Sequence, residues 1–107
     1  MTEMLRKIWG ISFEEIQSDD YRIWKLYIRK PYSEGDVWKI GINEKLLREA
    51  RREGVDHFIV MIGQQERTMD VPTKKDLKQR VKNGEYEDVP SMFEGSSAMR
   101  VFKFSIS

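Results

Sequence analysis

Large apolar residues fall at every second position in four segments of this chain: Trp9, Ile11, Phe13; Trp24, Leu26, Ile28; Trp38, Ile40, Ile42; and Phe102, Phe104, Ile106. Side chains of an extended strand point alternately to opposite faces, so each segment predicts a strand with one dry side. Strands of this kind must pair and bury their apolar side, which confines the fold to architectures built on β-sheet. The stretch His57–Ile62 differs, because HFIVMI is a nearly continuous apolar run bounded by Gly54 and Gly63. That pattern predicts a strand covered on both faces and therefore central.

Two stretches carry a helical period instead. Asn43 can cap the free amides of a first turn, Ile42 and Leu47 are spaced as a hydrophobic staple, and Leu46, Leu47 and Ala50 form one apolar stripe that Gly54 ends. Thr73 with Asp76 resembles a capping box and opens a second helix running to Asn83, anchored only by Leu77 and Val81.

Between these elements, Ser18-Asp19-Asp20 favours a tight turn, and Pro31 removes a backbone donor at the end of the second strand. Residues 31–36 read as a turn-rich connector, residues 67–71 as a short strand, and residues 85–99 as a polar excursion long enough for a binding loop. The expected fold is a single α+β domain spanning residues 1–107, with one mixed sheet of about five to six strands and two helices in the order βββαββαβ. If Val37–Ile42 and His57–Ile62 share that sheet, they run parallel across the first helix.

A length of 107 residues supports one core. Nineteen basic against eighteen acidic residues leave a net charge of +1, which excludes histone-like global basicity and shifts attention to local patches. With no cysteine and His57 as the sole histidine, thiolate chemistry and multi-histidine metal sites are excluded, and any metal would fall to carboxylates. The opening MTEMLRKIWG has no leader pattern, and no segment approaches the roughly 18 apolar residues of a membrane span, so a cytoplasmic protein without membrane association is expected. No phosphate-cradling loop, dinucleotide fingerprint, nucleophile elbow or calcium loop is present, so no catalytic residue, metal ligand or cofactor is assigned.

Binding is the reading that remains, and the cations suggest where. On the second strand Lys25, Tyr27 and Arg29 share the face opposite Trp24 and Leu26, and on the second helix Lys74, Lys75 and Lys78 are accompanied by Arg80 and Lys82, with Asp76 the only acid among them. Such groups attract phosphates, and tyrosines beside them can stack on unpaired bases, so these six residues are the candidate nucleic-acid contacts. The same pattern also suits an ordinary solvated face, with Lys and Tyr laid over apolar neighbours. Apolar Met92, Phe93 and Met99 in the polar excursion suggest a second possibility, a protein partner or homo-oligomer. Trp9, Trp24 and Trp38, on successive strands, are expected to share an aromatic core.

Glu14, Glu15, Asp19 and Asp20 gather carboxylates beside the first turn. The succession of three strands, a helix and a parallel fourth strand from Lys7 to Ile62 resembles the core of the PD-(D/E)XK nucleases. Asp20 matches the acid of the second strand in that family, and Lys39 of Val37-Trp38-Lys39 matches its lysine. Val37 stands where the second acid belongs, and Asp36 lies one residue out of register. The resemblance covers about half the chain and implies a metal-dependent nuclease fold with an incomplete motif, hence an inactive relative.

Overall fold

A tight turn at Trp9-Gly10 splits the first apolar alternation in two. Both residues have positive φ, 48° and 86°, the geometry whose twist suits a two-residue hairpin loop. The computed structural model describes residues 5–90 and 98–106. In it the turn joins β1 (Arg6–Ile8) to β2 (Ile11–Gln17), with Ile8 opposite Ile11. The single strand expected here is therefore a hairpin, and Trp9 occupies its turn.

The first sheet continues with β3 (Arg22–Ile28). The connector after Pro31 contains a further strand, β4 (Tyr32–Glu34), which turns through Gly35 (φ 63°) onto β5 (Val37–Asn43). Helix α1 (Glu44–Arg52), strands β6 (His57–Ile62) and β7 (Gln65–Asp70), helix α2 (Lys74–Lys82), and strands β8 (Tyr86–Val89) and β9 (Met99–Ser105) follow. The strands form a five-stranded sheet in the order β1-β2-β3-β6-β7 and a four-stranded sheet in the order β4-β5-β9-β8.

The α+β class with two helices is as expected, but the strands divide between two sheets. The cause lies at β5, which has β4 on one edge and β9 on the other, both antiparallel. No edge remains for β6, which instead runs parallel to β3, with Trp24 opposite Phe58 and Leu26 opposite Val60. The 85–99 excursion also differs from a plain loop, because β8 pairs antiparallel with β9 and Met99 begins that last strand. Met92 and Phe93 lie outside the described residues.

Phe13, Trp24, Leu26, Phe58 and Val60 from the first sheet meet Ile40, Ile42, Phe102 and Phe104 from the second, with Leu46, Leu47 and Ala50 of α1 and Leu77 of α2 completing one core. Phe13 and Trp24 stack with ring centroids 4.3 Å apart. The expected tryptophan cluster does not form. Trp24 is fully buried, but Trp38, though it shares the parity of Ile40 and Ile42, is 52% exposed, and Trp9 is half-buried at its turn. Strand β6 is interior to its sheet but covered on one side only: Phe58 and Val60 are buried, while Ile59 and Met61 face away from the core cluster.

Both helices begin, and the first also ends, by the predicted chemistry. Asn43 accepts a hydrogen bond from the Leu46 amide at 2.8 Å, and Thr73 from the Asp76 amide at 3.1 Å. Gly54 (φ 75°) then lets the chain leave α1 with the amides of Gly54 and Val55 bonded back to the carbonyls of Arg51 and Ala50. No helix among the described residues is long and apolar enough to cross a membrane.

Candidate phosphate-binding surface

The outer face of the five-stranded sheet is assembled by register. One row runs Ser12, Tyr27, Met61, Glu66; the next Glu14, Lys25, Ile59, Thr68; the third Ile16, Ile23, His57, Asp70. Alternation thus brings Lys25 and Tyr27 to one face, and the same register brings carboxylates to them. Lys25 Nζ lies 4.0 Å from Glu66 Oε1 and 6.0 Å from the Tyr27 ring, the Tyr27 hydroxyl donates to Glu14 Oε1, and His57 Nδ1 is 3.0 Å from Asp70 Oδ1. The face is mixed in charge, with half-buried Ile16, Ile23, Ile59 and Met61 between the polar groups. Arg29 does not join that strand face. β3 ends at Ile28 and Arg29 itself forms the bend two residues before Pro31, so the alternation stops one position short of it.

Helix α2 presents a different balance. The side chains of Lys74, Lys75 and Lys78 are exposed and make no ion pair with any described residue. Arg80, which the sequence groups with them, is committed to the fold: it bonds Asp76 at 3.2 Å and the Lys103 carbonyl at 2.7 Å, and lies over the Phe104 ring at 4.3 Å.

Lys74 and Lys78, one turn apart, look across at Arg48 and Arg51, one turn apart on α1. With Arg100 of β9 they line a cleft of about 300 Å³ whose apolar surface comes from Leu77, Val81 and Phe102. Glu44 is the one carboxylate in the lining, and it is paired with Arg48 at 2.7 Å. Arg100 is held by Asp88 at 3.2 Å. Arg51 Nη1 is shut off from solvent and has no hydrogen-bond partner among the described residues. A buried polar group left unpaired costs about 1–3 kcal/mol, more when charged. Arg48, Arg51 and Arg100 were not singled out by sequence reasoning. Their i, i+3 spacing on α1 was visible, but their convergence with α2 is set by tertiary packing.

Glu15 of β2 and Glu53, which follows α1, serve the scaffold. Arg22 Nη2 is 2.5 Å from Glu15 Oε1, which also accepts from Trp24 Nε1 at 3.2 Å. Arg6 reaches Glu53 through both terminal nitrogens, at 3.0 and 3.3 Å, and lies about 5 Å over the Phe13 and Trp24 rings. The hydrogen bond from Arg22 holds the Glu15 carboxyl below its ordinary pKa, and that from Arg6 does the same for Glu53; burial opposes both effects. Asp20 sits in the β2–β3 turn of the first sheet, and Lys39 on β5 of the second, where it pairs with Glu34 at 3.1 Å. Among the described residues no group of three or more His, Asp or Glu side chains could hold a metal ion.

No protein-family model, curated protein or solved structure matches this chain.

Proposed function

We propose that this domain is a binding module for nucleic acid, contacting phosphates mainly through Lys74, Lys75 and Lys78 of α2. Lys25, Tyr27 and Arg29 are secondary contacts. The observation that carries this reading is the absence of any described ion-pair partner for the three α2 lysines, set against the carboxylates facing Lys25 and Tyr27. Unpaired lysines release condensed counterions from a phosphate backbone without first breaking an internal pair.

Titration of labelled single- and double-stranded oligonucleotides tests it. Three phosphate contacts give a roughly 20- to 40-fold loss of affinity between about 50 and 200 mM salt. Absence of binding at the lower salt contradicts the proposal.

A second reading rests on the sheet's outer face, where Ile16, Ile23, Ile59 and Met61 stand outside the core cluster. Self-association through that face would cover them. Light scattering coupled to size exclusion decides it, since a monomer at every concentration removes this reading.

A further inference from the structure

The α1–α2 cleft joins a cluster of cations to an apolar wall and contains a guanidinium nitrogen that the fold leaves without an acceptor among the described residues. Five cationic side chains and one carboxylate line it; Arg48 and Arg100 are bonded to Glu44 and Asp88, which leaves Arg51, Lys74 and Lys78 without a described acidic partner. We infer that this cleft is a site for a single phosphate group, gripped by the Arg51 guanidinium and flanked by Lys74 and Lys78.

Arg51 supplies the most specific part of the argument. The side chain lines the cleft, and its Nη1, itself closed to solvent, meets no acceptor among the described residues, so the guanidinium's hydrogen-bonding capacity is not used up within the fold. The planar fork of a guanidinium matches two phosphate oxygens, which a lysine ammonium cannot do. Leu77, Val81 and Phe102 form an apolar wall of low polarisability beside the cations, and a lower local dielectric strengthens their attraction for an entering anion. Lys75 lies outside this cleft, and Lys25 lies on an open sheet face beside Glu66.

Size selects the form of the ligand. A space of about 300 Å³ holds one phosphate and part of the group that carries it. An anion presented end-on fits, whether it is the terminal phosphate of an oligonucleotide or a free phosphate. This inference takes its ligand class from the proposed function, and it adds a discrete pocket to what would otherwise be a ridge of lysines.

The test is an amide chemical-shift titration of the ¹⁵N-labelled protein with inorganic phosphate at constant ionic strength in chloride. Saturable shifts confined to residues 48–52 and 74–78 are expected, with affinity roughly tenfold weaker in Arg51→Met, which keeps the apolar stem but loses the fork. Arg67→Ala, at an exposed position of the edge strand β7, leaves the titration unchanged. If Arg51→Met does not fold, the double variant Lys74→Ala/Lys78→Ala, altered only at exposed positions, gives the same reading. Shifts that are absent, that never saturate, or that survive in these variants overturn the inference.

A second arm compares 5′-phosphorylated with 5′-hydroxyl oligonucleotides. Tighter binding of the phosphorylated strand, abolished by Arg51→Met, identifies a strand terminus as the source. Phosphate binding with no oligonucleotide binding keeps the pocket and removes the nucleic-acid reading. Oligonucleotide binding that ignores both the terminal phosphate and Arg51, with no phosphate titration, keeps that reading and removes the pocket.

Discussion

Lys25 Nζ and Glu66 Oε1 meet at 4.0 Å on the outer face of the first sheet, bridging from β3 to β7 past β6. The pair shows why a basic strand in sequence is not a basic surface in space: a distant strand supplies the counter-charge. An exposed pair of this kind is worth about 0–1 kcal/mol. Lys25→Ala should therefore lower stability by less than about 1 kcal/mol in chemical denaturation, and a loss above about 2 kcal/mol would show that Lys25 has a further structural role.

Asn43 does more than cap α1. Besides accepting from the Leu46 amide, its Nδ2 donates to the Ile8 carbonyl at 3.2 Å, tying the start of the helix to β1 from a buried position. Asn43→Ala is expected to cost about 1–3 kcal/mol, as a lost cap combined with the lost tie to the Ile8 carbonyl. Thr73→Ala, at an exposed cap with one side-chain bond, should cost less, about 0.5–1 kcal/mol. Equal losses in urea titrations would show that the β1 tie contributes nothing.

Acid should weaken the fold through Glu15 and Glu53. Both carboxyls are held below their ordinary value of 4.5, by the hydrogen bonds from Arg22 and Arg6 respectively. A folded-state pKa depressed below the unfolded one contributes stability that is fully present above the unfolded value and is lost as pH falls through the folded value. The thermal midpoint should therefore drop progressively below pH 4.5, and Glu53→Gln should flatten that drop while lowering stability at neutral pH. An unchanged acid profile in Glu53→Gln would remove Glu53 from this account.

The tryptophans should separate cleanly. Trp24 is fully buried against Phe13 and Phe58, so Trp24→Ala is expected to cost about 3–5 kcal/mol. Trp38→Ala, at a 52% exposed position, should be nearly neutral and should lower the acrylamide-quenchable fluorescence, leaving the share from half-buried Trp9. Comparable destabilisation by the two changes would contradict the division of the core described above.

Local chemistry was legible in the sequence. The alternation at Trp24, Leu26 and Ile28, the caps at Asn43 and Thr73 and the stop at Gly54 depend on near neighbours in the chain, and the structure has each of them. What depended on long-range pairing was not legible. Trp38 follows the same parity rule as Ile40 and Ile42, yet the strand carries it to an uncovered end of the core. In the same way, parity placed Lys25 and Tyr27 on one face but could not place Glu14 and Glu66 beside them. Arg51 was invisible as a site residue because its partners come from α2 and β9, distant in sequence.

The central claim is that the α2 lysines, and not the sheet face, supply the phosphate contacts. Oligonucleotide affinity measured against salt for Lys74→Ala/Lys75→Ala/Lys78→Ala and for Lys25→Ala/Tyr27→Ala tests it most directly. The account predicts that the α2 variant lowers the steepness of the log–log salt dependence by about 2 to 3, at roughly 0.7–0.9 per contact, while the sheet variant lowers it by less than about 1. The reverse ranking, or a salt dependence that neither variant changes, would contradict it.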